Sequence, residues 1–377
     1  MKGKQGMVCM GLLLVLSSCH TGKQITASGL QRKDFQTEVN GQHTDLFTLS
    51  NKQGMEVCIT NYGARVVSIL VPDRNGKRED VVCGFSTITE YMEQRQNFGS
   101  TVGRYIGRIL NARFTLDGVE YKLVPNNGKS GHISHGGNPG FADRMWKVEQ
   151  ADTHRVRLSY LSPDGENGFP GNLKVTLVYS LGEDDNALDL TYEATTDAPT
   201  VLNLSHHSFF NISGNFTKSV EDQQLWVDAD RFTPYDDKKC VTGEYLQVAG
   251  TPLDFRMPHA IGECIDADHP QLKVVNGYDH TWELNTKGDD TRPAAWVYDP
   301  VSGRKMEIFT TEPGMQIYTG NGLKGKMTGK GRIAYPFRSA VCFETMHFQD
   351  SPNQPGFPST VLRPGEVFRS HTVYKFE

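Results

Sequence analysis

No block of lysine and arginine occurs anywhere in the 377 residues, and 39 basic side chains face 44 acidic ones for a formal net charge of -5. A nucleic-acid interface needs a concentrated basic patch, so that class of partner has no support. No Gly-x-x-x-x-Gly-Lys-Ser/Thr loop is present, and no Gly-x-Gly-x-x-Gly opens a helix, which leaves nucleotide cofactors without a cradle. The Gly-x-Ser-x-Gly elbow of a serine hydrolase is missing as well. No apolar stretch is long enough to cross a bilayer as a helix, and no long, capped helical pattern appears. Cysteines number seven, at Cys9, Cys19, Cys58, Cys83, Cys240, Cys264 and Cys342, with no Cys-x-x-Cys pair. That spacing argues against a structural zinc site and against a disulfide framework, although a single disulfide stays possible.

The N-terminus reads as an address. Lys2 and Lys4 precede an apolar stretch from Met7 to Leu16 that is too short for a stable span. It ends in Leu16-Ser17-Ser18-Cys19, which resembles the lipobox of bacterial lipoproteins. The resemblance implies a signal peptide over residues 1–18 and Cys19 as the acylated first residue. The protein would then be anchored by lipid in the bacterial cell envelope, on the periplasmic side or at the outer membrane. A plain signal peptide with an incidental cysteine is the competing reading. Residues 19–42, polar and without period after the cysteine, suit a tether, and the domain is expected over 43–377. Cys58, Cys83 and Cys342 stand in apolar, strand-like runs and read as small buried hydrophobes.

Alternation dominates the rest. Leu173, Val175, Leu177, Tyr179 and Leu181 share one face, interleaved with Lys174, Thr176, Val178 and Ser180. Leu188, Leu190 and Tyr192 repeat the pattern after the turn at 182–186, and Val156, Leu158 and Tyr160 show it before Pro163-Asp164-Gly165. Further strands are expected at Val57–Ile59, Arg65–Val71, Val201–Leu204, Met306–Thr310 and Met315–Tyr318. Glycine (38) and proline (18) punctuate these runs at short intervals. No composition break or internal repeat divides them, so the expectation is one large all-β domain, a sandwich or barrel.

The run from Ala340 to Phe348 sets Glu344 among Cys342, Phe343, Met346 and Phe348. A buried carboxylate needs a partner or a job. Histidines cluster at His132 and His135, and at His206 and His207 beside Phe209 and Phe210. Neighbours on a strand point to opposite faces, which disfavours a metal held by both His206 and His207. Hydrogen-bonded loop histidines are the plainer expectation for His132 and His206. The glycines after His135 suit a structural turn or a close ligand approach equally. Asp279 taken alone is a turn residue, and Arg108 a solvated or salt-bridged arginine.

Together these residues resemble the aldose 1-epimerase family over nearly all of the chain from about Phe47. The matching segments are Phe98–Ile109, Ser134–Gly137, Asn203–Gly214, Gly277–His280, Thr310–Asn321 and Phe343–Glu366. The last is the most specific: Phe343-Glu344-Thr345-x-His347-Phe348-x-Asp350-Ser351-Pro352-Asn353-Gln354-Pro355. The resemblance implies a large antiparallel β-sandwich of the galactose mutarotase type. It implies interconversion of the α and β anomers of free aldohexoses such as glucose and galactose, with no cofactor and no metal. Glu344 would be the general base and His207 the general acid, with Glu344 ionised and His207 protonated before reaction, and a nearby carboxylate such as Glu344 or Asp279 lifting the imidazole. Arg108, His135, Asp279 and Gln316 would hold sugar hydroxyls, with Phe209 beside the acid where relatives often have Tyr. Gly107 departs from the Asn common before the arginine; a hydroxyl contact is then lost or made by another group, and Gly107→Asn would tighten sugar binding. Alternatives are a hexose-6-phosphate epimerase, a non-catalytic carbohydrate-binding lipoprotein, or a glycoside hydrolase using Glu344 with Asp279. The expected partners are a monosaccharide and, through lipid alone, a membrane, in a monomer or weak homodimer.

Overall fold

The computed structural model describes residues 24–377. The expected signal peptide and the expected lipidation site, Cys19, lie outside these residues. Strands dominate, and three antiparallel sheets carry most of them. The largest has nine strands in the spatial order Lys147–Ala151, Arg155–Ser162, Leu173–Leu181, Ala187–Thr196, Phe368–Phe376, Lys305–Thr310, Ala295–Tyr298, Gln224–Val227 and His259–Ala260. A six-stranded sheet runs Phe209–Phe210, Val341–Met346, Gly314–Tyr318, Asp279–Glu283, Arg231–Thr233 and Leu246–Gln247. The third consists of Leu46–Ser50, Glu56–Thr60, Arg65–Pro72 and Arg78–Asp80.

The alternation seen in sequence sets the layering. Leu173–Leu181 alternates buried and less buried positions without a break, and its partners on both sides keep one register along their length. The buried rows, including Leu177, Leu190, Ile308 and Tyr374, meet Phe210, Trp282, Ile317, Val341 and Phe343 from the six-stranded sheet in a single core. Burial at roughly 25 cal/mol per Å² of apolar surface makes this contact the main source of stability. The all-β sandwich expected from sequence is borne out. The expected strand at Val201–Leu204 is split: Thr200–Val201 pairs with Val361–Leu362, while Ser205–His207 pairs with Ser100–Val102.

The stretch expected to be a tether corrects the sequence reading. From Gln24 on it is folded against the domain rather than loose. Phe35 is completely buried and packs with Leu46, Cys58 and Val67. The Ala27 amide donates to Glu56 Oε1 at 2.6 Å, and Arg32 bonds Asp45. Two apolar residues, Leu30 and Phe35, were enough to seat a segment whose polar composition suggested otherwise. All five described cysteines are free, with Cys58, Cys83 and Cys342 buried.

Candidate active site

The strand Val341–Met346 is buried on both faces. Its alternation sends Val341 and Phe343 into the core and Cys342, Glu344 and Met346 to the other side. Register then decides what meets Glu344. Gln316 lies directly opposite it, Thr281 lies opposite Gln316, and two residues along Asp279 faces Tyr318. A shift of one residue would move the whole polar set into the core, so the core residues fix the site.

His207 comes from the neighbouring strand pair, opposite Ser100. Its Nε2 lies 3.5 Å from Glu344 Oε1, and the two side chains are only 7% and 5% exposed. Phe209 stacks on the imidazole, with ring centroids 5.0 Å apart and planes within 10°. Phe98 and Tyr318 meet Phe209 edge-on and hold that stack in place. His135 packs edge-on against His207 at 5.5 Å. The adjacent His206 points the other way, bonded to Ser208 Oγ at 2.6 Å and beside Tyr179 and Tyr374. His132 accepts from the Asn111 amide. Both are hydrogen-bonded as expected, but His206 lies in the strand Ser205–His207 rather than in a loop.

His135 has φ of +52° and donates its amide to the Gly107 carbonyl, which aims its ring at the pocket. The glycines after it settle the open question of their purpose. A Cβ on Gly136 would lie 2.0 Å from the Gly103 carbonyl oxygen, so the close approach is to backbone, within a structural turn. The motif after Phe348 anchors the other wall. The Asp350 amide donates to the Arg108 carbonyl, and Asp350 Oδ1 accepts from the Leu110 amide. Arg108, half-buried, donates to the Lys239 carbonyl at 3.1 Å. Gln316 Nε2 donates to Asp279 Oδ1 at 2.7 Å while Thr281 Oγ1 donates to Gln316 Oε1.

All seven residues expected from sequence, Glu344, His207, Arg108, His135, Phe209, Asp279 and Gln316, line one cavity of about 250 Å³. That is below the roughly 300–1,000 Å³ of sites for drug-sized ligands and is the scale of a single small sugar. The sequence reading missed Gln349, which occupies the unassigned position between Phe348 and Asp350, and Tyr318; both line the same cavity. A larger open groove of about 470 Å³, near Asp152, His154 and Asp189 on the nine-stranded sheet, contains none of these groups.

Electrostatics correct the expected resting protonation. Burial raises Glu344 well above the usual carboxylate range, and the nearby Asp279 raises it further. Burial lowers His207 well below the usual imidazole value, helped by His135, His206 and Arg65. The expected lift of the imidazole by Asp279 is thus absent: Asp279 acts on Glu344 and is not among the groups that shift His207. Burial disfavours the charged form of both groups. Burial, then Arg108, holds His135 at about 4. Asp279 is raised by burial, against the opposing effects of Arg108 and Gln316.

Among the described residues, the group with metal-ligand spacing is His207, Cys342 and Glu344, not the four histidines weighed from sequence. A cation there would occupy both members of the acid–base pair. The lining contains a single guanidinium against the Asp279 and Glu344 carboxyls, a poor setting for a sugar phosphate.

An antiparallel sandwich bearing a small polar pocket, with a buried carboxyl and imidazole in contact, defines a carbohydrate-type acid–base site. Sequence and structure comparisons agree. The aldose 1-epimerase family profile matches residues 45–375. Galactose mutarotase from Bos taurus is 40% identical over 331 residues, covering 88% of this chain and 93% of that protein. Aldose 1-epimerase from Escherichia coli K12 is 36% identical, covering 89% and 96%. Among solved structures, an aldose epimerase homologue from C. elegans superposes with TM-score 0.81 at 30% identity, covering 89% of this chain and 99% of that one. The chain belongs to the aldose 1-epimerase family, and it is an isomerase.

Proposed function

We propose that this protein interconverts the α and β anomers of free aldohexoses, glucose and galactose foremost, by opening and closing the hemiacetal ring. The observation that supports this best is the His207–Glu344 contact at 3.5 Å inside a pocket of sugar-binding polar groups. The reacting form has Glu344 ionised and His207 protonated. The carboxylate takes the proton of the C1 hydroxyl, and the imidazolium protonates the ring oxygen as the C1–O5 bond breaks. Rotation about C1–C2 presents the other carbonyl face, and the reverse transfers close the ring. Arg108, His135, Asp279 and Gln316 hold hydroxyls through these steps, and Phe209 keeps the imidazole in plane.

Polarimetry of fresh α-D-glucose and α-D-galactose tests the reading. Glu344→Gln and His207→Asn are each expected to lower kcat by about 10²–10⁴-fold while Tm stays near that of the native protein. The double variant should be no slower than the worse single, because the two groups act as a unit. Near-native turnover in either single variant would remove that residue from the chemistry. Glucose 6-phosphate is expected to be a poor substrate, given the single guanidinium. The second reading, a passive sugar binder, gives no reason for a buried carboxyl and imidazole in contact.

The protein is further proposed to be a lipoprotein acylated at Cys19, on the strength of Leu16-Ser17-Ser18-Cys19 after an apolar stretch. Metabolic labelling with a fatty-acid analogue should mark the native chain and not Cys19→Ser; equal labelling of both would end this proposal.

A further inference from the structure

We propose that the carboxamide of Gln349, whose side chain fills the space beside Gly107, accepts a hydrogen bond from a sugar hydroxyl. The inference rests on the mutarotase reading and identifies a specificity residue within it. Three observations meet here. Gly107 lines the pocket with φ of +76°, and a Cβ built on it would lie 2.6 Å from Gln349 Cγ and 3.1 Å from its Cδ. The space that a side chain at 107 would need is therefore filled by Gln349. Gln349 is also held rather than mobile: its Nε2 donates to Tyr235 Oη at 2.7 Å and toward Gln316 Oε1 at 3.4 Å.

The third observation is the acceptor left over. Gln349 Oε1 accepts a single described bond, a long one of 3.3 Å from the Arg108 amide. An amide oxygen has two lone pairs, whereas both amide hydrogens are already committed. The open capacity is thus an acceptor at the wall shared by Arg108 and Gln316, where a sugar hydroxyl would donate. Tyr235, Gln349, Gln316 and Asp279 form one hydrogen-bonded chain, so the acceptor is positioned before the ligand arrives.

The same contacts reverse the sequence-based expectation for Gly107→Asn. That substitution does not fill a vacancy. It drives the Gln349 side chain out of its bonds to Tyr235 and Gln316, at a backbone position already in the left-handed region.

The test is kinetic, on glucose and galactose, with native protein, Gln349→Ala, Gly107→Asn and Gly107→Asn/Gln349→Ala, each checked for Tm. Gln349→Ala should raise KM about three- to tenfold, the size of one neutral hydrogen bond, with kcat within about twofold. Gly107→Asn alone should raise KM at least as much, and the double variant should recover most of that loss. A series of deoxysugars then locates the contact: the Gln349→Ala penalty should vanish for the single sugar lacking the partner hydroxyl. An unchanged KM for Gln349→Ala, a penalty equal on every deoxysugar, or a double variant no better than Gly107→Asn would overturn the proposal. Should the native protein accelerate neither sugar, the mutarotase reading falls instead. The same four proteins would then be titrated with each sugar by calorimetry, where the same order in Kd is expected and equal Kd values would overturn the role of Gln349.

Discussion

Glu344 and His207 are held in the forms that burial favours, and the reaction has to draw on the charged ones. Desolvation raises the first and depresses the second, so the free protein carries one shared proton between the two titrations. The sign follows directly. Protonating the depressed imidazole as pH falls adds a second proton, and ionising the raised carboxyl as pH rises removes the shared one. kcat/KM should therefore be bell-shaped, its acid limb lying below pH 6.5 and its alkaline limb well above pH 4.5. An acid limb centred above 6.5 would show instead that the group titrating there is not a depressed imidazole. Of the site residues, those with distinctive chemistry or motif neighbours were legible in sequence. Gln349 was not, because a glutamine between Phe348 and Asp350 carries no sign of where its side chain will fold.

At the scale of elements, cross-strand register does what no single residue could. Glu344 and Gln316 are 28 positions apart by their numbers yet directly opposite in the sheet, and Thr281 completes the row. The alternation that buries Phe343 and Ile317 presents Glu344 and Gln316 on the other face. Sequence alternation predicted the strands well where one face is solvated, as in Leu173–Leu181. It was weaker at Val201–Leu204, a run buried along its length, where period gives no phase. The segment at 24–42 shows the opposite failure, since polar composition hid a docked element. Phe35→Ala should cost about 3–5 kcal/mol of stability, read in denaturant unfolding, with KM for the sugar unchanged. A loss below 1 kcal/mol would mean that the segment is only loosely attached.

Across the whole molecule, the sheets meet in one core, and polar contacts pin the far side of the larger sheet. His371 on the strand Phe368–Phe376 bonds Asp290 at 2.6 Å and Asp189 at 2.9 Å, which together raise it to about 9 against the opposing effect of burial. A histidine raised in the folded state contributes stability in full below its unfolded value near 6.5. That contribution is lost as pH climbs through about 9. The groups are about a third exposed, so the gain is modest, on the order of 1 kcal/mol. Between pH 6.5 and 9.5 the native protein should lose about 1–2 °C of Tm more than His371→Gln does. Parallel curves for the two proteins would leave the pair without a role in stability.

Sequence alone determined the fold class and singled out Glu344 and His207, the pair proposed to carry the chemistry. Alternation with period two sets which face each strand buries, and a carboxylate in an apolar run or a histidine beside aromatic rings demands an explanation wherever it falls. The tertiary structure decided the rest. It set the direction in which burial shifts Glu344 and His207, the docking of residues 24–42, and the occupation by Gln349 of the space beside Gly107. These depend on desolvation and on contacts between residues up to hundreds of positions apart, and neither quantity exists until the chain has closed around them.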